Sequence, residues 1–193
     1  MNINEILVWT SSLLALVLYY PLIAGILRDK IKQNCVTWLL WVALDLIALV
    51  SIINQKGNYM LLVSYCGCGW IVIGTLIYKK QFKWTSFETF VLSLVVICLV
   101  IWYMSGSHWA TIASTLAVVI SGFPQIRDSW NTPDRTTGHI YMGYVFANGL
   151  SFLGGKAWTI EDKFYPGMMT LLCLAIGCAA YRKLKSPNVA QVN

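Results

Sequence analysis

The sequence predicts an all-α membrane protein in which seven transmembrane helices form two parallel three-helix bundles joined by a linker helix. Of its 193 residues, 58% are hydrophobic and 11% are charged, whereas a soluble domain has about 45–50% apolar and about 25% charged residues. Apolar runs of about 20 residues, the length of a helix that crosses a bilayer, follow one another along the chain. A repeated order of proline, aromatic and polar residues predicts how these helices are arranged.

Seven apolar runs are predicted to be transmembrane helices, and they cover residues 5–27, 35–54, 59–79, 87–105, 108–130, 138–157 and 164–182. The runs are apolar on all sides and about twice as long as the roughly ten-residue segments of a transmembrane β-strand. The first run lacks a basic segment before it and a small-residue cleavage site after it. We therefore expect a retained helix rather than a removed signal peptide.

Lysine and arginine residues predict the orientation of these helices. The loops after spans one, three and five and the C-terminal tail contain Arg28, Lys30, Lys32, Lys79, Lys80, Lys83, Arg127, Arg135, Arg182, Lys183 and Lys185. The opposite side contains only Lys56, Lys156 and Lys163. The positive-inside rule then predicts an external N-terminus and a cytoplasmic C-terminus.

Several classes of function are not expected from this sequence. Its basic residues separate apolar runs instead of clustering on a soluble face, so no nucleic-acid partner is predicted. It contains no nucleophile-and-base set and no glycine-rich phosphate loop, so no enzyme is predicted. The pair Cys66 and Cys68 falls short of a zinc ligand set, and we expect neither a metal nor a cofactor.

One absence from the sequence bears on which membrane contains the protein. No Asn-x-Ser/Thr glycosylation acceptor occurs in the chain. This favours the inner membrane of a bacterium and leaves an organelle membrane as the alternative. The expected partners are the lipid bilayer, a small solute and protons, and the sequence leaves a homo-oligomer open.

An internal repeat organises the chain. A shift of 103 residues superimposes Pro21 on Pro124 and Asp45 on Asn148, together with matching aromatic, glycine and Tyr-basic-basic positions. Two units of three spans keep the same orientation only if one further span separates them. The predicted units are therefore bundle one at 1–83, a linker helix at 84–106, bundle two at 107–185 and a cytoplasmic tail at 186–193, a parallel-repeat design that occurs in transporters.

Pro21 and Pro124 are predicted to lie inside the first helix of their repeats. A proline in that position removes a backbone hydrogen bond and clashes with the preceding turn, so each helix is expected to kink. Because the kink recurs in both halves, we interpret the two prolines as gate residues rather than static bends. Gln125, next to Pro124, is a further candidate gate residue.

Asp45 is the only acidic residue well inside a predicted span. Trp41 and Trp38 precede it by four and seven residues, which places all three side chains on one helical face. The outer member of the stripe, Trp38, is more typical of a lipid-interface belt. The matching residues of the second repeat are Asn148, Tyr144 and Tyr141.

An acidic residue at mid-bilayer usually faces an internal cavity and marks a proton, ion or substrate site. We therefore expect Asp45 and Asn148 to face each other across a site walled by Trp41 and Tyr144. Trp70 is a further cavity candidate. The alternative for Asp45 is a structural role, with its carboxylate hydrogen-bonded inside the bundle.

The residues around the two prolines resemble a known family. The segment 123–126 (Phe-Pro-Gln-Ile), followed by Asn131 and the Thr-Thr-Gly at 136–138, resembles the PQ-loop signature. The segment 20–23 (Tyr-Pro-Leu-Ile) looks like a diverged copy with Leu22 in place of the glutamine. The segment 38–46 is similar to the second helix of PQ-loop amino-acid transporters, and the resemblance covers essentially the whole chain.

This resemblance implies membership of the superfamily that contains lysosomal cystine and cationic amino-acid exporters, SWEET sugar transporters and the KDEL receptor. Its members share two triple-helix bundles with a central site, and their prolines act as hinges for alternating access. The solute does not follow from the fold, because one architecture serves different solutes and even a receptor.

Three hypotheses follow. The first is a transporter of an amino acid or amine, coupled to protons through Asp45. The second is a SWEET-like facilitator of a sugar or another neutral solute, with stacking on Trp41 and Tyr144 and a hydrogen bond from Asn148. The third is a receptor or sensor that binds a ligand without moving it.

Overall fold

The computed structural model describes residues 2–29, 31 and 33–182. Within this part of the chain every regular element is an α-helix, so the predicted all-α class is confirmed. The predicted tail at 186–193 lies outside the described residues, as do four of the predicted cytoplasmic cations, namely Lys30, Lys32, Lys183 and Lys185.

The helices are α1 (Ile3–Leu27), α2 (Cys35–Asn54), α3 (Met60–Tyr78), α4 (Ser86–Ser121), α5 (Phe123–Asn131), α6 (Arg135–Gly154) and α7 (Ile160–Tyr181). Five helical stretches of the described residues are long and apolar enough to cross a membrane: α1, α2, α3, α4 taken together with α5, and α7. Helix α6 coincides with the sixth predicted span and has a comparable length. Helix α6 is less apolar than these five stretches, with Arg135 and Asn148 among its polar residues, and it is not one of the five.

Helix α4 is broken at Gly106, where φ is 79° and ψ is −176°. An unbroken helix of its 36 residues would be about 54 Å long, well beyond the roughly 30 Å apolar thickness of a bilayer. This backbone conformation is essentially restricted to glycine. The predicted spans 87–105 and 108–130 fall on the two sides of the break.

The first segment of α4 begins beside the start of α2, and the second segment begins beside the end of α2. Before the break, the Asn34 amide at the start of α2 donates a hydrogen bond of 2.7 Å to the Glu88 carboxylate. Just after Gly106, the hydroxyl of Ser107 accepts a hydrogen bond of 3.3 Å from the amide of Asn54, at the end of α2. The first segment therefore runs along the whole length of α2.

The second segment returns along the same helix. Val118, near its end, lies beside the middle of α2, where it lines a cavity together with Trp41 and Val42. Since Ser107 lies at the far end of α2, residues 107–121 run in the direction opposite to residues 86–105.

The remaining contacts follow one pattern in both halves of the chain. Helix α3 packs on α1 and α2, and α7 packs on α4, α5 and α6. Between the halves, α1 packs against α6 and α2 packs against α4. One apolar cluster joins α1, α2, α3, α6 and α7, and a second joins mainly α2 and α4.

The two prolines differ in their local structure. Pro21 lies inside α1, as predicted. The prediction that Pro124 lies inside a helix is wrong, because α4 ends at Ser121 and Pro124 occupies the first turn of α5, after Gly122. Proline is favoured in the first turn of a helix, where its missing N–H has no intrahelical partner in any case.

Asp134 begins helix α6. Its carboxylate accepts hydrogen bonds from the backbone N–H of Thr137 at 2.7 Å and from the Thr137 hydroxyl at 2.9 Å. Burial acts to raise the pKa of the Asp134 carboxyl, but the hydrogen bonds outweigh it and hold the pKa below its ordinary value. This cap also fixes Thr137, which lies at the rim of the central cavity.

A central aromatic cavity as the candidate functional site

A cavity of about 120 Å³ lies among the helices, and each of α1 to α7 contributes at least one residue to its lining. Four of the predicted site residues line it together: Trp41, Asp45, Gln125 and Tyr144. They come from α2, α5 and α6, so residues far apart in sequence meet at one place. A cavity of this size has room for several water molecules or a small solute.

Asp45 is half-buried and faces this cavity. Its Oδ1 accepts a hydrogen bond of 2.8 Å from the hydroxyl of Tyr165, a residue of α7 that is only 1% exposed. One carboxylate oxygen is therefore held by the protein. The other oxygen has no hydrogen-bond donor among the described residues, so it is free to meet a proton or a solute.

Asn148 does not line the cavity, in contrast to the sequence expectation. It is completely buried, and its amide donates to the hydroxyl of Tyr65 at 2.7 Å and to the backbone carbonyl of Tyr144 at 2.8 Å. Both tyrosines line the cavity. Asn148 therefore lies one layer behind the wall and holds two wall residues in place.

The two polar centres share one arrangement. Asp45 on α2 is bonded to Tyr165 on α7, and Asn148 on α6 is bonded to Tyr65 on α3. In each case the second helix of one predicted repeat is tied to the third helix of the other. These two hydrogen bonds thus join the two halves of the chain near the middle of α2 and α6.

Aromatic rings form a connected part of the remaining wall. Tyr19 makes edge-to-face contacts with Trp38, Tyr65 and Tyr144, with ring centroids 6.2, 6.2 and 5.8 Å apart. Trp38 in turn contacts Trp41, with centroids 5.5 Å apart. Such edge-to-face pairs each add to the stability of a buried cluster beyond the burial of their area. Trp38 belongs to this wall and not to a lipid-interface belt.

Two hydrogen-bond donors of the wall have no partner among the described residues. They are the indole N–H of Trp41 and the hydroxyl of Tyr144, and both atoms are buried. An unpaired buried donor costs free energy unless a water or ligand satisfies it. Neither atom is accessible from the cavity in this structure, so water or a solute would reach these two groups only after the wall rearranges.

The other predicted residues are placed differently. Trp70 is 53% exposed on the outer surface of α3 and does not reach the cavity. Pro21 and Pro124 are not part of the lining, but the residues that follow them, Leu22 and Gln125, both are. The prolines are thus one residue removed from the cavity wall in both halves.

The cavity extends toward one end of the helices only. Ile31, Gln33 and Thr137 line it at the end that carries most of the basic loops. At the opposite end a separate pocket of about 300 Å³ contains Lys56 and Lys156.

Between the two pockets the helices are closed. The side-chain amide of Asn58 donates to the carbonyl and hydroxyl oxygens of Ser151 at 2.9 and 3.0 Å. Next to this contact lies the α1–α6 seam, where α1 meets Gly154 so closely that a Cβ on Gly154 would lie 2.9 Å from the backbone oxygen of Asn4. The structure is therefore open at one end and closed at the other.

Comparison with known proteins identifies no relative. No family model, no curated protein and no solved structure matches this chain.

The sequence analysis did not predict three tyrosines of the site. Tyr19 lies on α1, the first helix of the first half, and Tyr65 and Tyr165 lie on α3 and α7, the third helices of the two halves. Neither Tyr65 nor Tyr165 has an aromatic counterpart at the 103-residue shift, so the repeat did not single them out. A tyrosine within an apolar span was the available signal, because its hydroxyl requires a partner when buried. No group of three His, Cys, Asp or Glu side chains comes together among the described residues.

Proposed function

We propose that this protein is a PQ-loop-type membrane transporter that moves a small polar solute by alternating access, with an amino acid or amine as the solute and proton coupling through Asp45. The observation that carries the proposal is the cavity itself. It joins one half-buried carboxylate to aromatic walls in the middle of the helices and opens toward one end only.

The proposed topology is seven crossings in two bundles with a linker, with the N-terminus outside and the membrane that of a bacterial cell. Three features support it. Both halves have the same pattern of helix contacts. The chain reverses along α2 at Gly106, which separates the linker from the second bundle. Helix α6 packs between α1 and α7, and the polar groups of its middle and end, Tyr144, Asn148 and Ser151, are buried in the protein.

The proposed coupling follows from charge. An ionised Asp45 without a counter-charge is expensive to keep in a low-dielectric interior. The site becomes neutral in two ways, when the carboxylate binds a proton or when it pairs with a cationic solute. If only the neutral forms reorient, one proton is exchanged for one cationic group in each cycle.

The proposed gate lies at the two ends of the cavity. The open end includes Leu22, directly after Pro21 inside α1, and Gln125, directly after Pro124 at the start of α5. A change in the bend of α1 at Pro21, or in the angle between α4 and α5, would therefore move the cavity wall. The closed end is held by the Asn58–Ser151 contact and the α1–α6 seam. Alternating access requires the first end to close while the second one separates.

A facilitator of neutral solutes is the second candidate. The aromatic residues and neutral polar side chains of the lining, among them Trp41, Tyr144 and Gln125, favour it, because aromatic rings stack on sugar rings and an amide bonds to sugar hydroxyl groups. A ligand sensor without flux would use the same groups and is distinguished only by the absence of transport.

The deciding experiment is solute-induced proton movement in liposomes that contain the purified protein, over panels of amino acids, amines and sugars. We expect an amino-bearing solute to give a proton signal that Asp45→Asn abolishes. The matched control is Asp128→Asn, a change of an exposed carboxylate in α5, which is expected to behave like wild type.

Three other results have distinct meanings. Sugar flux without proton movement, equal in wild type and Asp45→Asn, would establish the facilitator and assign Asp45 a structural role. Specific binding without flux of any solute would establish a sensor. Absence of both binding and flux would contradict the whole proposal.

A further inference from the structure

We propose that the cavity around Asp45 selects solutes whose cationic group is a methylated ammonium, tertiary or quaternary, over those with a primary ammonium or a guanidinium. This inference rests on the transport function proposed above and specifies the solute of that same site. It follows from the balance of ring faces, hydrogen-bond acceptors and charge in the cavity wall.

The wall contains a connected cluster of aromatic rings. Six rings line the cavity: Tyr19, Trp38, Trp41, Tyr65, Tyr141 and Tyr144. Neighbouring rings meet edge to face with centroids between 5.5 and 6.2 Å apart, so they form a concave surface instead of a flat stack. The negative faces of several rings attract a cation, and such aromatic cages bind quaternary ammonium groups in particular.

The charge of the wall fits a cation. Among the described residues that line the cavity, Asp45 is the only charged side chain. No lysine, arginine or histidine from the packed helices lies in this described lining to neutralise it. A bound cation therefore meets one carboxylate and the rings, without a competing positive charge.

The hydrogen-bonding capacity of the wall fits a methylated cation better than the alternatives. A primary ammonium carries three donors and is strongly hydrated. A guanidinium pairs best with both oxygens of a carboxylate at once. Oδ1 of Asp45 already accepts from Tyr165, so only the second carboxylate oxygen has no donor among the described residues. The other side-chain oxygens of the lining are neutral ones, from Gln33, Gln125, Thr137 and the tyrosines.

A methylated ammonium requires few hydrogen bonds from the cavity wall. It donates one hydrogen bond or none, and its charge is spread over methyl groups that contact ring faces. It therefore loses less hydration than a primary ammonium on entering the aromatic wall. The single free carboxylate oxygen supplies the counter-charge without having to satisfy several donors.

The test is calorimetric titration of the full chain in lipid nanodiscs with a series of chloride salts, from methylammonium through dimethylammonium and trimethylammonium to tetramethylammonium. Guanidinium chloride is titrated in the same way. At fixed ionic strength and pH, we expect the affinity to rise along the series by about tenfold overall. Asp45→Asn should weaken binding of the whole series.

Variants of Trp41 measure the contribution of an aromatic ring to the affinity, separately from the contribution of the Asp45 charge. Trp41→Leu should reduce the affinity for tetramethylammonium about tenfold while changing that for methylammonium less, and Trp41→Phe should restore part of the loss. Trp70→Leu removes an indole that is exposed on the outer surface and should leave the series unchanged. If Trp41→Leu fails to fold, the affinities of the wild-type protein for the series still test the predicted selectivity.

The outcomes also separate this inference from the transport proposal. Methylammonium or guanidinium binding as tightly as tetramethylammonium, with dependence on Asp45, would overturn the selectivity and leave the transporter intact. If no member of the series binds, the selectivity is overturned, and proton-linked flux of other solutes in liposomes then decides the transport proposal by itself.

Discussion

The hydroxyl of Tyr165 in α7 lies 2.8 Å from Oδ1 of Asp45 in α2. This contact connects helices that otherwise touch little, because α7 packs mainly on α6, α4 and α5. It fixes the orientation of the half-buried carboxylate in the cavity and leaves its second oxygen available. Tyr165 is therefore a positioning residue that acts through Asp45.

Tyr165→Phe should reduce transport about tenfold or more, because a hydrogen bond to a charged group contributes roughly 1.5–3 kcal/mol. The ring is retained, so the loss reports on the hydroxyl alone. The measurement is the initial rate and KM of solute uptake into liposomes. Tyr181→Phe, at the far end of α7, is the control, and equal rates for both variants would contradict the positioning role.

Asn148 and Tyr65 should behave as one unit in stability. Asn148→Ala and Tyr65→Phe each break the same buried contact of 2.7 Å, and each is expected to lower the free energy of unfolding by about 1–3 kcal/mol. In the double variant the loss should be smaller than the sum of the two.

Unfolding of the purified protein in detergent, followed by temperature or denaturant, measures this double-mutant cycle. Tyr103→Phe, which alters a side chain that is 94% exposed, serves as the control and should be neutral. Strictly additive losses would show that the Asn148–Tyr65 contact contributes nothing to stability.

Gly106→Ala should destabilise the protein by about 1–3 kcal/mol, because its backbone conformation is essentially restricted to glycine. Steric collision does not explain this loss, since a Cβ at Gly106 would have no heavy atom within 4 Å. Gly74→Ala is a matched control within α3, with equally open surroundings and no positive φ. The control should be neutral or slightly stabilising, and thermal unfolding of the two variants side by side distinguishes strain from packing.

Asp134→Ala should destabilise the start of α6 by about 0.5–2 kcal/mol at neutral pH, through loss of the helix cap. The pKa of Asp134 is lowered in the folded protein, so its charge-linked stabilisation is fully present above the ordinary pKa of aspartate. It is lost as the pH falls through the lowered value. The difference in unfolding midpoint between wild type and variant should therefore narrow in acid, whereas a difference that is independent of pH would assign the effect to the neutral cap alone.

Hydropathy and helical spacing predicted a substantial part of this structure. The all-α class follows from long apolar runs, and the predicted boundary between residues 105 and 108 brackets Gly106. Trp41 and Asp45 were assigned to one face because residues four apart on a helix always share a face. These features depend on a single segment of chain.

The remaining site features depend on how helices turn toward one another. The repeat located Asn148 on its helix but did not give the rotation of α6, which directs the amide behind Tyr65 rather than into the cavity. Trp70 could face lipid or protein equally well, since an aromatic residue is compatible with both. The partner of Asp45 comes from a helix 120 residues away in sequence, a distance over which spacing carries no information.

The α1–α6 seam determines how quickly the closed end can separate. At Gly154 the two helices meet through backbone, with Asn4, Leu7 and Val8 against a residue that has no side chain. At this position α6 presents no side chain that could interlock with those of α1. The activation barrier is then set by lost dispersion contacts and by the hydrogen bonds of Asn58 to Ser151. In the proposed transport cycle, such a seam would open more readily than one with interlocked side chains, on the microsecond-to-millisecond timescale of helix motions.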